Sequence, residues 1–480
     1  MTGGNASQLE LHLQNSQASR LAGNLDEAAK HLAAAFQINS HSVPVLMEQG
    51  LLHQQRGEWD EARKFFELGQ TAQPDNPQLL DAIGHTWQAQ NNFDKAMDYW
   101  RRAVELNPDY ADAWQNLGLA HEHKDELPEA ISCHQKAAAL RPEQSKAHRL
   151  LGVAQLDYGL LPAARQCFDR AIELAPNDPE AIWQRFFLRG LVGEFPEAWA
   201  DYECRFHLPG RTTPDPGFTA PRWKGEPLPG KTLLLHAEQG YGDTLQMIRY
   251  APCAAERAGR ILLWVPNSLR TLLSTINGVD EVVTNKPIDG TFHAHIPLMS
   301  LPGVFDDSLE TLPKNVPYLG NFLKNNTGKP VKIGLAWAGS GNQPLDRRSV
   351  FLNDLSPLTD VDGVGWHSLQ VGDQIAQIAD SEWAGVIQES SDQLTDFAAT
   401  AEAMSELDLV ICIDSAVAHL AGALGKPVWV LLSFAPDWRW GWEGETSPWY
   451  PNARLFRQEY GETWASVGKR LAAALKSLVE

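Results

Sequence analysis

Three strings in the second half of the chain place polar residues where a strand gives way to a helix or a loop. The first, His236-Ala237-Glu238-Gln239-Gly240-Tyr241-Gly242-Asp243, follows the apolar run Leu233 to Leu235 and leads into a helical pattern over Thr244 to Tyr250. Gly240 and Gly242 allow a tight turn and a close approach of backbone to ligand, and a helix start offers unpaired N–H groups and the positive end of its dipole. Asp243 then faces the ligand, where it can take a proton from an acceptor hydroxyl; the competing reading is a helix N-cap and nothing more. The second string, Asp414-Ser415-Ala416-Val417-Ala418-His419, follows the strand pattern Leu407 to Ile413. Asp414 and Ser415 begin a helix and His419 shares a face with Ser415. A diphosphate can therefore accept bonds from the first N–H groups at Ala416, from Ser415 and from a protonated His419. A satisfied core histidine is the alternative.

The third string, Gly339-Ser340-Gly341-Asn342 followed by Asp346-Arg347-Arg348-Ser349, sets arginines beside a glycine loop, which suits phosphate recognition; an ion pair with Asp346 is the bland alternative. Near the end, Trp438, Trp440, Trp442 and Trp449 surround Arg439, and tryptophans so dense either stack on a base or sugar or cover a domain edge. None of these strings has the G-x-x-x-x-G-K-[ST] spacing of a P-loop. Asp360-Val361-Asp362 precedes a strand pattern where a metal-binding pair would follow one, so this pair is not expected to hold a metal.

Short apolar runs alternating with amphipathic segments must position these strings, the pattern of strands and helices around parallel sheets. Candidate strands are Lys231 to His236, Arg260 to Val265, Glu281 to Thr284 and His293 to Ile296, then Val331 to Trp337, Gly365 to Gln370, Leu407 to Ile413, Pro427 to Leu432 and Ala453 to Phe456. Two such units in series imply a cleft between them. Trp464, Val467, Leu471, Leu475 and Leu478 lie at helical spacing and predict a closing helix packed across the domains.

The first half is a different object. Leu25, Trp59, Phe93, Leu127, Leu161 and Phe195 recur every 34 residues, each followed three positions on by alanine, while Gly50, Gly84, Gly118 and Gly152 keep the same interval. The pattern resembles the tetratricopeptide repeat, in which a bulky residue of one repeat sits over a small residue of the next. The unit 111–144 places Trp114, Leu117, Gly118, Ala130, Ala137 and Pro142 on that pattern, with His121 and His134 at positions where tyrosine and phenylalanine are commoner. Cys133 and Cys167, 34 apart, are equivalent packing positions. Six repeats form an α-solenoid whose concave face is expected to hold a protein or peptide partner, the alternative being an oligomerisation or spacing arm.

Length and charge set the limits. At 480 residues the chain has room for about three domains. Forty Lys plus Arg against sixty Asp plus Glu give −20, which leaves no basic surface for nucleic acid or an anionic membrane. Five scattered cysteines without a C-x-x-C pair read as reduced thiols, and neither a leader nor a transmembrane segment is recognised, so a cytoplasmic setting is expected.

Taken together, the strings of the second half are similar to the glycosyltransferase-like domain found behind tetratricopeptide repeats in bacterial proteins, distantly to lipopolysaccharide heptosyltransferases and in plan to protein O-GlcNAc transferases. Phe195-Pro196-Glu197-Ala198-Trp199 with Tyr202-Glu203, the glycine-loop string ending in Asp243, the Asp414 to His419 string and Pro436-Asp437-Trp438-Arg439-Trp440 carry the resemblance. It implies a GT-B fold of two Rossmann-like domains, Asp243 as base, and donor contacts from Asp414, Ser415 and His419. It also implies a nucleotide-diphosphate sugar as substrate, with no cofactor. Gln343 and Leu345 stand where many relatives carry a histidine or lysine. The expected domains are a solenoid over 9–207, a linker over 208–230, an acceptor-side half over 231–326, a donor-side half over 331–460 and the closing helix over 461–480. The expected function is inverting sugar transfer to a hydroxyl, with Asp243 and His419 catalytic and Arg347 or Arg439 on the diphosphate. The alternative is an inactive repeat scaffold.

Overall fold

The computed structural model describes residues 2–210, 216–320, 330–339 and 346–479. Six helix pairs come first: α1 (Thr2–Leu21) with α2 (Leu25–Ile38), α3 (Val43–Gln55) with α4 (Trp59–Ala72), α5 (Pro77–Ala89) with α6 (Phe93–Leu106), α7 (Ala111–His123) with α8 (Leu127–Leu140), α9 (Ser145–Asp157) with α10 (Leu161–Leu174), and α11 (Pro179–Val192) with α12 (Phe195–Tyr202). Buried apolar faces join successive pairs, as where Ala96, Met97 and Trp100 of α6 cluster with Leu117 of α7.

The repeating glycines have a single structural cause. Gly50, Gly84, Gly118 and Gly152 each lie under a ring sixteen residues on, from Phe66, Trp100, His134 and Phe168, and a Cβ at Gly84, Gly118 or Gly152 would come within 2.5 Å of that ring. The bulky partner therefore comes from the same helix pair, where the sequence reading put it in the next repeat. A helical hairpin brings together positions equidistant from its turn, and the midpoint between Gly118 and His134 is Glu126, at the turn between α7 and α8. His134 fills the ring position fully buried, with Nε2 at 3.0 Å from Glu122. His121 pairs with Glu126 and His123 stacks on Phe93, so the two point apart. Burial raises the thiols of Cys133 and Cys167 to about 11, as packing positions would.

The chain divides into two compact units, Met1–Gln155 with Pro162–Pro176, and Leu156–Leu161 with Asn177–Glu480. The second takes in α11 and α12, so the repeat pattern runs on past the structural division. The reason is visible in α12: Trp199 donates from Nε1 to the Asp307 carbonyl at 3.2 Å and packs edge-on against Trp438.

The rest of that unit holds two parallel sheets. The first half comprises β1 (Leu228–His236), α13 (Tyr241–Met247), α14 (Ala251–Ala255), β2 (Ala258–Trp264), α15 (Asn267–Leu273), β3 (Glu281–Val283), β4 (Ala294–Pro297) and α16 (Leu301–Phe305), with strand order β3-β2-β1-β4. The second comprises β5 (Val331–Ala336), β6 (Val364–Ser368), β7 (Ile387–Gln388), α17 (Phe397–Ser405), β8 (Leu409–Ile413), α18 (Ala416–Ala423), β9 (Val428–Leu432), β10 (Ala453–Arg457) and α19 (Trp464–Val479), with order β10-β9-β8-β5-β6-β7. All nine anticipated strands are present in place, and the two-residue β7 is an addition. In the second sheet the chain runs outward from β5 to β7, then returns to β8 and leaves the other way. The crevice at the β5 and β8 carboxyl ends is thus a topological switch point, where open α/β sheets bind ligands. The Gly339 loop and Asp414-Ser415 both emerge there.

Expected to pack across the domains, α19 instead stays with the second half. Val467, Leu471 and Leu475 enter the core of Ile333, Leu335, Leu355 and Ile411, because Gly468 lets the helix lie against the Asp354 carbonyl. Among the described residues no helix is long and apolar enough to cross a membrane.

Candidate active site

A cleft of about 1530 Å³ opens in the second unit, lined by the β1–α13 turn, the β5 end, the start of α18 and the Trp438-Arg439 segment. Gly240, Gly242, Asp243, Gly339, Asp414, Ser415, Ala416, His419 and Arg439 all line it. Four separate stretches of sequence are thereby brought to one place.

Asp243 does not cap its helix from outside. The helix begins at Tyr241, three residues earlier than the sequence pattern indicates, so Gly240 is the N-cap and Asp243 the third helical residue. From there its Oδ2 accepts from the Gly240 N–H at 2.7 Å, which holds the glycine turn. Its Oδ1 accepts from Arg439 Nη2. Burial pushes the Asp243 carboxyl above the usual range, with Arg439 opposing and Asp437 reinforcing. A carboxylate raised in this way is a better proton acceptor than a solvated one.

Arg439 is fully committed. Its Nη1 and backbone N–H donate to Asp437 Oδ1 at 2.8 and 3.0 Å, its Nε to Gln246 Oε1 at 2.8 Å, and its remaining nitrogen to Asp243. It therefore organises two carboxylates more than it presents free charge.

His419 is 4% exposed, and its Nδ1 lies 3.0 Å from the Tyr450 hydroxyl while its ring stacks on Trp440. Burial, with the charges of Arg439 and Arg249, drives its pKa well below the ordinary value. The protonated imidazole expected from the sequence is thus replaced by a neutral one, because the ring is buried and the two guanidiniums repel a charge on it. Gly242 makes the α13–α18 approach possible, because a Cβ there would lie 2.7 Å from His419 Cδ2.

Ser415 is the N-cap of α18, yet its hydroxyl makes no capping bond and has no partner among the described residues. In the first turn of α18 the Ala418 N–H donates to the Ser415 carbonyl at 3.0 Å, so the N–H groups a ligand can take are those of Ala416 and Val417. Asp414 beside it is raised by burial to about 6, Asp437 adding to the rise while Trp440, Arg439 and Arg348 oppose it.

Arg347 is not brought to the cleft. Its Nη1 pairs with Asp157 at 2.6 Å, and the guanidinium lies over Phe434. Its neighbour Arg348 lines the cleft instead, anchored by Nε on Asp346 at 3.2 Å and by Nη1 on the Asp414 carbonyl at 3.4 Å. The arginine pair was visible in sequence, but alternation of side chains along a loop leaves the choice between them open until the loop is folded. Ser340 and Asn342, with Gln343 and Leu345, lie outside the described residues. Gln370, not singled out in the sequence, fixes the entry to that loop by accepting from the Trp337 and Ala338 N–H groups and donating to the Ala338 carbonyl, all at 3.0 Å.

Trp438, Trp440 and Trp449 are 2%, 1% and 0% exposed, so this aromatic cluster is core, with Trp438 alone reaching the cleft. Also unanticipated is Glu238, bound through both oxygens by the buried Arg205 at 3.0 and 2.8 Å. Among the described residues no group of three or more His, Cys, Asp or Glu side chains is placed to hold a metal ion.

The class of protein follows from this architecture and from likeness to known families. Residues 20–85, 84–125 and 135–179 match tetratricopeptide-repeat families, and residues 393–470, the stretch holding Asp414 to Arg439, match glycosyltransferase family 9 (heptosyltransferase). The chain thus pairs an N-terminal region similar to tetratricopeptide repeats with a parallel α/β region, part of which is similar to glycosyltransferase family 9. Protein FlbA of Caulobacter vibrioides is 28% identical over 334 residues, 62% of this chain; the match spans 56% of that relative's length. Among solved structures, Pseudomonas aeruginosa PilF matches 43% of this chain and 95% of its own at 17% identity and a TM-score of 0.40. YrrB, described as a TPR protein with an unusual peptide-binding site, matches 36% and 90% at 21% identity and a TM-score of 0.30.

Proposed function

We propose that the cleft transfers a sugar from a nucleotide-diphosphate donor to an acceptor hydroxyl with inversion, while the repeats hold a protein partner. The observation that carries this reading is the pairing, in one cleft, of a raised carboxylate at Asp243 with an open helix start whose capping hydroxyl, Ser415, is unused. Asp243 takes the proton as the acceptor oxygen bonds to the anomeric carbon. The bond from that carbon to the diphosphate breaks, and the leaving charge passes to the α18 N–H groups, Ser415 and Arg348. Neutral His419 orients the α18 face through Tyr450 and Trp440. No covalent intermediate and no cofactor enter the scheme.

The carboxylates of the cleft do not preclude an anionic donor. Glu238 is neutralised by Arg205, Asp243 and Asp437 share Arg439, and Asp396 caps α17 by accepting from the Ala399 N–H. Asp414, at about 6, can hold a proton when an anion sits beside it. The volume also exceeds the roughly 300–1,000 Å³ of a single small-ligand pocket, leaving room for donor and acceptor together.

The inactive-scaffold reading is favoured by one observation, the occupation of both Asp243 oxygens by Arg439 and Gly240. Thermal stabilisation and hydrolysis with UDP-, ADP-, GDP- and CMP-sugars decide between the two. Transfer predicts stabilisation by a nucleoside diphosphate, and a loss of turnover of about 10²–10⁴-fold in Asp243→Asn with the fold retained. No stabilisation by any nucleotide would sink it and leave the scaffold.

A further inference from the structure

The first helix pair carries a side-chain arrangement that repeat packing does not call for. Positions 34 residues apart do the same packing work, and the counterparts of His12 and His31 are Leu46 with Phe65, Leu80 with Tyr99, and Trp114 with Cys133. Leu80 shares an apolar cluster with Tyr99, and Trp114 shares another with Cys133. In the fifth pair His148 and Cys167 turn to other partners, the Pro142 carbonyl at 2.9 Å and Gln155 Oε1 at 3.3 Å. In α1 and α2 two imidazoles fill this slot nitrogen to nitrogen. His12 Nδ1 lies 3.4 Å from His31 Nδ1, with ring centroids 5.7 Å apart and planes at 42°.

That separation is long for a hydrogen bond, which runs about 2.7–3.2 Å. It matches a different geometry. Two nitrogens each about 2.0–2.1 Å from a tetrahedral zinc ion stand about 3.3–3.4 Å apart, whereas ligands at right angles, as in octahedral or square sites, stand about 2.9 Å apart. The far nitrogen of His31 also has the setting a ligating imidazole uses. Glu27, one turn earlier on α2, places Oε1 3.7 Å from His31 Nε2, while its other oxygen accepts from Lys30 at 2.8 Å. A carboxylate on that side favours the tautomer with its proton on Nε2, which leaves the Nδ1 lone pair for a metal. The His31 side chain is 28% exposed and His12 is half-buried, so water can reach the remaining positions.

We propose that His12 and His31 form a zinc site joining α1 to α2, with Glu27 as the outer partner of His31 and two waters completing the tetrahedron. The site belongs wholly to the first unit and stands or falls apart from the transfer reading. Zinc is favoured over magnesium or calcium because imidazole nitrogens hold it, and over copper or nickel because those ions prefer neighbours at right angles. Two protein ligands are half the set of a structural zinc site, so binding in the range of about 1–100 µM is expected. The consequence is for stability. α1 brings Leu9 and Leu13, both only partly buried, to the core of Ala28, Leu32 and Leu52. A metal held only by the folded pair adds to that contact and shifts the equilibrium toward the folded state.

The test uses the full chain, stripped with EDTA and titrated with zinc chloride, read by calorimetry and by melting temperature. Zinc is expected to bind and to raise the melting temperature, and magnesium and calcium to do neither. His12→Ala and His31→Ala should each weaken zinc binding by at least about tenfold, and Glu27→Gln by roughly tenfold. His148→Ala, at the same repeat position of the fifth pair, should leave it unchanged. The double change His12→Leu with His31→Phe gives the first pair the residue types of the second, Leu46 and Phe65, and so guards against variants that merely unfold. It is expected to melt no lower than the metal-free parent and to lose the response to zinc. A zinc response absent from the parent, or retained in the folded double variant, overturns the site. A response to nickel or copper through these residues with none to zinc overturns the choice of metal.

Discussion

Two buried histidines show how differently the two regions of this protein use one residue type. His134 in the repeats and His419 in the α/β region each press a ring against a glycine, Gly118 and Gly242, where a Cβ would not fit. His134 stands in a series with Phe66, Trp100 and Phe168, and its Nε2 meets Glu122. It is a ring of about the right size with a carboxylate at its edge. His419 belongs to no series, meets a tyrosine hydroxyl in place of a carboxylate, and is held neutral by burial, with nearby guanidiniums adding to the effect. Periodicity explains the first histidine completely, and only the cleft explains the second. The same division holds for arginines, carboxylates and caps, and each can be used to test it.

Arginine gives the largest expected effect. Arg439→Met leaves Asp243 and Asp437 with no counter-charge in a site where their side chains are 19% and 24% exposed. Removing one partner of a buried network is expected to cost on the order of 3 kcal/mol. Arg141 in the repeats makes a geometrically better pair, two bonds of 2.6 Å to Asp112, but both side chains are about two-fifths exposed, at 38% and 42%. Arg141→Ala should cost less than about 1 kcal/mol. Urea denaturation of both variants checks the contrast, and equal losses would erase it.

What could be read from the sequence follows the same line. The repeats were legible because every 34 residues restate the same packing rule, so Gly84, Gly118 and Gly152 corroborate one another. The strands were legible because parallel sheets covered on both faces leave continuous apolar runs, as in Leu409 to Ile413. Asp243 and Ser415 stood out in the sequence because glycine turns and helix starts mark themselves locally. Arg348 in place of Arg347, the neutrality of His419 and the commitment of Arg439 were not legible, since each depends on residues distant in sequence: Asp157, Arg249 and Gln246 respectively.

A carboxylate supplies the intermediate effect. Burial raises Asp414 to about 6 from an ordinary value near 3.8. For a group whose folded value is raised, the favourable contribution is complete below about pH 4 and disappears as pH climbs through 6, so at pH 8 the charged, buried Asp414 is a cost. Asp414→Asn is expected to be more stable than the parent at pH 8 by on the order of 1–3 kcal/mol, with the gap closing toward pH 4. Melting curves across that range read it directly. In the repeats, Asp81 is likewise raised by burial, but Tyr110 and Asn116 donate to it at 3.0 and 2.8 Å. Asp81→Asn removes an acceptor both need, so it should not show the gain at pH 8. The same Asp414 proton bears on the donor: nucleoside-diphosphate affinity should rise as pH falls below about 6 in the parent and stay flat in Asp414→Asn. A flat profile in both would mean that the anion does not sit beside Asp414.

The smallest effect is the most discriminating, because it separates a cap from a site. Asn76 begins α5 by accepting from the Gln78 and Leu79 N–H groups at 3.0 and 3.3 Å, so Asn76→Ala should cost about 1 kcal/mol. Ser415 holds the same position on α18 and makes no such bond. Its hydroxyl therefore contributes nothing to the helix start, and Ser415→Ala should change stability by no more than a few tenths of a kcal/mol, in either direction. If that hydroxyl and the open N–H groups beside it receive a diphosphate, the same variant must weaken nucleoside-diphosphate binding by roughly 3–10-fold, the worth of one hydrogen bond to an anion. Calorimetric titration and a melting curve on the one protein measure both. A stability loss like that of Asn76→Ala, with nucleotide affinity unchanged, would make Ser415 an ordinary cap and remove the distinction between the two regions at this position.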